Sequence, residues 1–385
     1  MTRTNIETFI IFQSLLGIGH LAQCSTIAKA LSSISHVTLF SGGRRIEGYS
    51  APSGVDFVQL PAVRRDRASG IVPVPVDPAY TLAEIEQVRS ELLVESYLRI
   101  KPRIIIVEFF PFAPNRFGKT LNELFDAINK EQKRPIVICS LRAYPREAMQ
   151  WDTDTDPAWI NEQLRENFSC VLHHADPKLF PLASLGPYIQ DALSGISVWQ
   201  TGFIRRSLIQ MEHDRPSNGL LLTVGGGGGL GAKLLKRWIN AAKADSPDLF
   251  PVNAVCGPIM DAIDRKFIHA EQDANITVHD WVANLDELIS SSRAVVCMGG
   301  YNTLVEALSL RKPVLAFPNS ETGDQDFQVS ALYSQGMLLK GDQSQSENEI
   351  TALMSELLCF RPKHIIDHNG AERSIEIVRH LLSAS

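Results

Sequence analysis

The sequence predicts an α/β protein made of two doubly wound domains, each with a mostly parallel sheet between layers of helices. Short β-branched runs alternate with amphipathic stretches along the chain, which is the pattern of parallel sheets. A length of 385 residues is long for one hydrophobic core. A polar stretch at 211–218 separates two apolar runs, and the alternation restarts after it. We therefore expect domains at 1–210 and 219–370, a linker at 211–218, and a C-terminal helix within 371–385.

The expected elements follow from this alternation. In the first half, strands are predicted at 8–15, 36–40, 103–107, 136–141 and 170–173, and a long helix at 81–100. The Pro-Val alternation at 72–78 cannot form a helix and predicts an extended loop. In the second half, strands are predicted at 220–224, 252–256, 276–279, 294–298 and 314–317. Helices are predicted at 232–244, 261–269, 285–291, 303–310, 325–333, 347–360 and 371–382. Two such domains imply a cleft lined by the loops at the carboxyl ends of the strands.

Composition excludes several classes of function. The net charge of −6 and pI near 6.0 give no basic field for nucleic acid. Six dispersed cysteines predict small core residues in a reducing compartment. The polar N-terminus does not resemble a signal peptide, and no apolar run is long enough to span a bilayer. We expect a cytoplasmic protein, at most peripheral to the inner membrane face. Arginines at 44, 45, 64, 65 and 67 form either solvated loops or a surface for an anionic acceptor or lipid headgroups.

The clearest local motif is a glycine run between a predicted strand and a predicted helix. Glycines allow positive φ and let backbone N–H groups approach an anion, and the following helix adds its positive end. The run therefore predicts a diphosphate site formed by Gly226, Gly227, Gly228 and Gly229, with a flexible turn as the alternative. It also satisfies G-x-G-x-x-G, but the next strand ends Val255-Cys256-Gly257-Pro258, without the carboxylate that a dinucleotide site requires. Dinucleotide binding stays a minor alternative.

A second donor segment follows the strand at 294–298. Gly299 and Gly300 expose backbone amides, and Asn302 or Thr303 can cap the next helix and face a phosphate. Glu306, one turn into that helix, is predicted either to accept the two ribose hydroxyls or to stabilise the helix dipole. Further along, two polar residues that open a helix could bind hexose hydroxyls or cap that helix, namely Asp324 and Gln325.

The candidate catalytic residues lie in the first half. His20, at the start of the first helix, is the leading candidate for a general base. Glu108 ends a predicted strand and could orient His20, bind the acceptor or act as the base itself. His173 and His174 also end a strand, with a structural role equally open. The acidic run at 152–156 does not fit a calcium loop, because Pro157 and Gln163 stand where Gly and Glu are required, and no metal site is predicted.

Taken together, these motifs resemble the MurG-like glycosyltransferases of the family 28 type, which have the GT-B fold. The likeness is closest to a branch of predicted bacterial glycosyltransferases. It is carried by Gly17-Ile18-Gly19-His20, Glu108-Phe109-Phe110-Pro111-Phe112, His174-Ala175-Asp176-Pro177, Thr201-Gly202-Phe203, the run at 225–231 and Gly299-Gly300-Tyr301-Asn302-Thr303, in the expected order.

The resemblance implies specific roles for these residues. It places the donor between the domains, with the base near Trp281-Val282, the ribose on Glu306 and the sugar on Asp324 and Gln325. It assigns the diphosphate to the glycine run and to Arg205, with Gly17 and Gly19 as further donor contacts, and it implies a C-terminal helix that packs back on the first domain. Two features depart from MurG: the first-domain glycine loop is shorter, and no basic-apolar membrane patch is recognisable.

The function expected from the resemblance is metal-independent, inverting transfer of a hexose or amino-hexose. The donor is a nucleotide diphosphate sugar, with UDP as the expected nucleotide, and it serves as co-substrate, so no cofactor is expected. The acceptor is a hydroxyl or amine on a small molecule or a lipid-linked compound. A nucleotide-sugar epimerase of the same fold and a non-catalytic sugar-nucleotide-binding protein are the alternatives.

Overall fold

The structure is a computed structural model. It describes residues 6–15, 18–65, 73–113, 117, 119–143, 155–206, 218–227, 230–244, 247–282, 284–319 and 323–384, the side chains at 323 and 324 excepted. Its contacts divide the chain into two compact units. Unit 1 comprises Met1–Ile204 together with Asn369–Ser385, and unit 2 comprises Arg205–His368. Most of the predicted linker at 211–218 lies outside the described residues.

Unit 1 contains a parallel sheet of seven strands and a small hairpin. Its strands are β1 (Glu7–Phe12), β2 (His36–Ser41), β3 (Val55–Gln59), β4 (Val63–Arg65), β5 (Pro73–Pro75), β6 (Ile104–Glu108), β7 (Ile136–Arg142), β8 (Cys170–His174) and β9 (Val198–Gln200). The sheet order is β3-β2-β1-β6-β7-β8-β9, and β4 pairs with β5 in an antiparallel hairpin. The central strands are buried apolar runs, as expected for a parallel sheet covered on both faces.

The helices of unit 1 that precede residue 205 are α1 (Gly19–Leu31), α2 (Leu82–Ile100), α3 (Asn122–Asn129), α4 (Pro157–Asn167) and α5 (Pro187–Ala192). Helix α2 begins with a capping box, in which the Thr81 hydroxyl accepts from the Glu84 N–H while the Glu84 side chain accepts from the Thr81 N–H. It ends at Lys101, which adopts a left-handed conformation directly before Pro102. The sequence boundaries predicted for this helix are therefore confirmed within one residue.

Unit 2 contains a second parallel sheet. Its strands are β10 (Leu220–Thr223), β11 (Val252–Val255), β12 (Ile276–His279), β13 (Ala294–Cys297), β14 (Val314–Ala316) and β15 (Leu339–Lys340), in the order β12-β11-β10-β13-β14-β15. Its helices are α6 (Gly231–Lys243), α7 (Ala262–His269), α8 (Leu285–Ser291), α9 (Tyr301–Ser309), α10 (Gly323–Ser334) and α11 (Glu347–Cys359). The core packs α6 and α11 on the sheet, with Trp238 fully buried against Phe317.

The segment after unit 2 returns to unit 1 as helix α12 (Gly370–Ala384). The buried residues Ile377 and Val378 join the same apolar cluster as Ile27 of α1. The Gly370 N–H donates to the Phe203 carbonyl at 3.0 Å. A Cβ on Gly370 would lie 2.5 Å from the Gly202 carbonyl oxygen, so only glycine allows this close approach.

The α/β class with two parallel sheets is confirmed, but the sequence missed several edge elements. Strands β3, β9 and β15 were not predicted, and the expected loop at 72–78 contains β5, which pairs with β4. These strands are short or polar, and two prolines fit β5 because it pairs on one side only. Within the described residues, no helix has the length and apolar composition needed to cross a bilayer.

In both sheets the strand order reverses at one place. In unit 1 the reversal lies between β1 and β6, which pair in parallel, and in unit 2 it lies between β10 and β13. Loops at the carboxyl ends of such strands diverge to opposite sides of the sheet and leave a crevice, where ligands of doubly wound proteins bind. The loops after β1 and β6, and those after β10 and β13, therefore hold the candidate site residues.

Candidate functional site

The strand reversal of unit 1 brings His20 and Glu108 together. His20 lies in the first turn of α1, Glu108 ends β6, and the pairing of β1 with β6 places the two loops side by side. His20 Nδ1 lies 2.5 Å from Glu108 Oε1. The exposed fraction of the side chain is 8% for His20 and 1% for Glu108, so this contact is shielded from water. When Nδ1 donates to the carboxylate, the lone pair of the imidazole is on Nε2, as a general base requires.

Two further residues surround this pair. Arg142, the last residue of β7, places Nε 3.5 Å from Glu108 Oε1. The Phe109 ring packs edge-on against the His20 imidazole, with centroids 5.8 Å apart and an interplanar angle of 83°. Phe109 has φ of 67°, an uncommon backbone conformation for a residue other than glycine. The carboxylate is thus in contact with a guanidinium and the imidazole with an aromatic ring.

His173 and His174 have structural hydrogen bonds. His173 Nε2 donates to the Ala143 carbonyl at 3.0 Å, and His174 lies between the hydroxyls of Ser140 and Thr201, at 3.0 and 2.8 Å. Burial lowers the pKa of His173 to about 4 and, together with the charges of His173 and Arg142, lowers the pKa of His174 to about 3. Both are therefore neutral at physiological pH, and their ring nitrogens are occupied within the core of unit 1.

In unit 2, the described part of the glycine run is a tight turn packed on the loop after β11. Gly227 has φ of 82°, and a Cβ there would lie 2.0 Å from the Cys256 carbonyl oxygen. The Gly227 N–H donates to the Val224 carbonyl, and the Ile259 N–H donates to the Gly226 carbonyl at 2.8 Å. Gly225 also has a positive φ, but no described atom lies within 4 Å of the position of a Cβ there. The turn is therefore packed against the loop after β11 at Gly227, whereas at Gly225 no described residue packs against it.

Helix α9 begins at the second strand end of this reversal without a side-chain cap. Gly300 is its N-cap, so the prediction that Asn302 or Thr303 caps this helix is wrong: both lie in its first turn. The helix starts two residues earlier than the sequence indicated, because Tyr301 is buried and belongs to the helix. No described atom lies within 4 Å of a Cβ position on Gly300. An uncapped helix N-terminus with an open glycine suits an anion.

Glu306, in the second turn of α9, is 1% exposed and forms an ion pair with Arg206. Arg206 Nε contacts Glu306 Oε1, and Arg206 Nη2 donates to Glu306 Oε2 at 2.6 Å, so the pair is bidentate. Burial alone would lower the pKa of Arg206, but the Glu306 carboxylate raises it above the ordinary value. Arg205, which the resemblance assigned to the diphosphate, is near enough to Glu306 and Asp286 to interact with their charges, while burial lowers its pKa.

The remaining predicted donor residues are described to different extents. Gly19 opens α1, and Val282 follows the exposed Trp281 after β12. Gln325 Oε1 accepts from the Asn319 N–H at 3.1 Å, so this carboxamide holds the loop before α10. Gly17, Gly228 and Gly229 lie outside the described residues, as does the side chain of Asp324. Across the described ranges, no group of three or more His, Cys, Asp or Glu side chains could hold a metal ion.

Comparison with known proteins identifies the domain family of unit 2. Residues 221–367 match the glycosyltransferase family 28 C-terminal domain. The match begins in β10 and ends just before the segment that returns to unit 1, so it spans both strand ends of the reversal described above. A stretch of 111 residues, 29% of this chain, is 28% identical to an uncharacterized glycosyltransferase of Methanosarcina mazei, of whose length it spans 28%.

Solved structures extend the likeness over the whole chain. CalG4, the calicheamicin glycosyltransferase, superposes with a TM-score of 0.59 at 13% identity, over 100% of this chain and 95% of its own. MurG of Acinetobacter baumannii has a TM-score of 0.55 at 14% identity, over 97% of this chain and 99% of its own. The chain therefore has the GT-B fold of these glycosyltransferases, and its second unit carries a family 28 C-terminal domain. UGT2 of Phytolacca americana shares the fold at a TM-score of 0.60 and 15% identity, over 97% of this chain and 94% of that one.

Two residues of the candidate site were missed from sequence. Arg206 was not singled out, because only the structure shows that its guanidinium pairs with Glu306. Arg142 ends a buried strand, the same signal that singled out Glu108, but the adjacency of β6 and β7 was needed to bring the two together. Their contribution rests on contacts between residues distant in sequence, which a motif does not contain.

Proposed function

We propose that this MurG-like protein transfers a hexose or amino-hexose from a nucleotide diphosphate sugar, with UDP as the nucleotide, to an acceptor hydroxyl or amine. The observation that carries the proposal is the buried His20–Glu108 pair at the strand reversal of unit 1, in a chain whose second unit is a family 28 donor domain. A general base requires a histidine held in one tautomer, and a buried carboxylate provides this. A site that only binds a ligand does not require it.

In unit 1, His20 would act on the acceptor. With Nδ1 donating to Glu108, Nε2 accepts the proton of the acceptor hydroxyl as its oxygen attacks the anomeric carbon. Glu108 stabilises the imidazolium that forms, as a buried carboxylate 2.5 Å away can. Direct attack of this kind inverts the anomeric configuration.

In unit 2, backbone groups would hold the donor. The N-terminus of α9, which has no side-chain cap, and the open position at Gly300 favour the negative charge that develops on the departing diphosphate. The solved relatives support UDP: UGT2 of Phytolacca americana was crystallised with UDP-2fluoro-glucose and pterostilbene, and UGT71G1 of Medicago truncatula with UDP-glucose.

Glu306 would receive the ribose. Both of its oxygens already contact Arg206, but an ionised carboxylate has about four acceptor sites, so two remain for the 2′- and 3′-hydroxyls. Arg205 is proposed as a diphosphate contact, Val282 as part of the base site, and Gln325 and Asp324 as contacts of the hexose. The acceptor, whether a small molecule or lipid-linked, would bind to unit 1. Contact with a membrane would be at most peripheral.

The test is turnover with and without acceptor. Purified protein is incubated with UDP-glucose, UDP-N-acetylglucosamine and other nucleotide sugars, alone and with panels of phenolic, sugar and lipid-linked acceptors, while UDP release and glycosylated product are measured. Acceptor-dependent release of UDP supports transfer. Conversion of the donor alone to its epimer would instead indicate an epimerase, and tight binding of UDP with no turnover under any acceptor would indicate a sugar-nucleotide-binding protein.

A further inference from the structure

The pair formed by His20 and Glu108 includes a carboxylate that is 1% exposed, which makes its charge state depend on its neighbours. Removal from water disfavours an ionised carboxyl strongly unless an opposite charge compensates. If Glu108 carried a proton, it would donate to His20 Nδ1, the imidazole hydrogen would then be on Nε2, and Nε2 could not accept a proton. The function of His20 as a base therefore depends on what keeps Glu108 ionised.

Arg142 is placed to do this. Its Nε lies 3.5 Å from Glu108 Oε1, and its side chain is 11% exposed, so water screens the attraction only weakly. The position follows from the strands: Glu108 is the register partner of Ser140, and Arg142, two residues further along β7, projects from the same face as Ser140. The same face carries the contact of Ser140 with His174.

Three other described titratable groups that interact with Glu108 or Arg142 carry no charge at neutral pH. Cys24 of α1 and Cys139 of β7 both interact with the charge of Glu108, and burial raises the pKa of each thiol well above its ordinary value. His174 of β8 interacts with Arg142, but its pKa of about 3 keeps it neutral. Among the described residues with a resolved electrostatic influence here, Arg142 is thus the cation that faces Glu108.

We propose that Arg142 is a positioning residue of the catalytic base: its guanidinium keeps Glu108 anionic, and Glu108 in turn holds His20 in the tautomer whose Nε2 accepts the proton. Arg142 contacts neither substrate in this proposal and acts through Glu108. The inference rests on the proposed function only where it predicts an effect of Arg142 on turnover. The electrostatic coupling of Arg142 to the pair is a property of unit 1 that exists without any substrate.

The coupling has a defined sign. A nearby positive charge disfavours binding of a further proton to the coupled pair, so it lowers the pH at which the pair takes up that proton. Replacing Arg142 by a neutral residue must therefore raise that pH, and the acid limb of the rate profile moves to higher pH. A purely structural role for Arg142 would lower activity or stability without moving this midpoint in a set direction.

The experiment is an NMR titration of His20, followed through its imidazole resonances and assigned by their loss in His20→Ala. We expect Arg142→Gln to raise the His20 midpoint by about half a pH unit or more, with the same upward shift in the acid limb of kcat/KM. Arg134→Gln is the matched control, because Arg134 is an exposed arginine of unit 1 that donates to the Glu166 carbonyl. It should leave the midpoint unchanged.

Arg142→Lys keeps the charge and tests its importance directly. Its His20 midpoint should stay within about 0.3 of the wild type, which is measurable even if Arg142→Gln does not fold. A folded Arg142→Gln with an unmoved or lowered midpoint, or an Arg142→Lys with a midpoint shifted beyond that range, would overturn the inference. Failure of the proposed function is seen separately, as absence of UDP binding or turnover in the wild type while the midpoint shift in Arg142→Gln persists.

Discussion

The strand reversals of the two units carry different kinds of functional groups. In unit 1 the reversal carries ionisable side chains, namely the buried His20 and Glu108 and the partly buried Arg142. In unit 2 it is lined by glycines and by the uncapped N-terminus of α9. The ion pair between Arg206 and the buried Glu306 lies a helical turn further into α9.

The difference teaches that the same sheet topology serves two kinds of chemistry. A proton acceptor must be a side chain with a titratable atom, and its environment has to fix its charge. A diphosphate is held well by backbone N–H groups, which need no side chain and require only that nothing blocks their approach. Substitutions should therefore damage unit 1 through lost functional groups and unit 2 through added atoms.

The largest effect is expected from removing the base. His20→Ala should lower kcat about 10²- to 10⁴-fold, because general-base catalysis contributes that range, while the Kd for UDP changes little. Steady-state kinetics and calorimetry measure the two quantities separately. His36→Ala, which removes a half-exposed histidine paired with Glu7 in the same unit, is the control and should be active. Full activity of His20→Ala would remove this residue as the base.

Adding a single methyl group should distinguish two glycines of unit 2. In Gly227→Ala the new Cβ would lie 2.0 Å from the Cys256 carbonyl oxygen, so the turn must move; we expect a loss of about 2–4 kcal/mol in unfolding free energy, with weakened UDP binding. In Gly225→Ala the new Cβ has no described atom within 4 Å, and the substitution should cost only roughly 1–2 kcal/mol for its positive φ. Denaturant unfolding and calorimetry measure both. Equal losses in the two variants would contradict the packed turn.

Glu306→Gln tests a proposed donor contact of unit 2 that uses a carboxylate side chain and not the backbone. We expect UDP to bind at least tenfold more weakly, a change of about 1.4 kcal/mol, and the preference for UDP over 2′-deoxy-UDP to shrink as the ribose contact is lost. Calorimetry with both nucleotides measures this. Glu271→Gln, which removes a surface carboxylate paired with Lys236 and Lys243, serves as the control. Unaltered affinity in Glu306→Gln would count against the ribose role.

The smallest effect concerns the buried histidines of β8. Their pKa values of about 4 and about 3 lie below the value of about 6.5 expected in the unfolded chain, so the unfolded state binds protons first as pH falls. Their contribution to stability is full above about pH 6.5 and declines toward pH 4. Urea unfolding between pH 7.5 and 5 should show a shallower decline in His174→Gln than in the wild type. Equal declines in the two proteins would contradict this account.

Much of the fold could be predicted from sequence because its central strands are continuous apolar runs. Strand β12 and helix α8 were predicted with their observed bounds, since punctuation by polar residues marks both ends. The β4–β5 hairpin could not be predicted, because prolines argue against a strand unless it pairs on one side, and pairing is decided by the tertiary fold.

The candidate site was predicted in its parts but not in its contacts. The sequence indicated that His20 and Glu108 each follow a strand, yet 88 residues separate them, and only the pairing of β1 with β6 brings them within 2.5 Å. The pairing of Arg206 with Glu306 could not be predicted either, because adjacent residues at the end of an irregular segment have no periodicity that fixes which one turns inward.

Helix α12 gives unit 1 a discontinuous sequence, because α1 is covered by a segment that follows the whole of unit 2. During translation the ribosome therefore releases all of unit 2 before the segment that seals α1. Until then the part of α1 that packs against α12 lies uncovered, since Ile377 and Val378 of α12 complete the apolar cluster to which α1 belongs. A fragment that ends at Ile204 would lack α12 and leave this part of α1 uncovered. Aggregation of such a fragment would then result from the missing helix and not from a defect of the seven-stranded sheet.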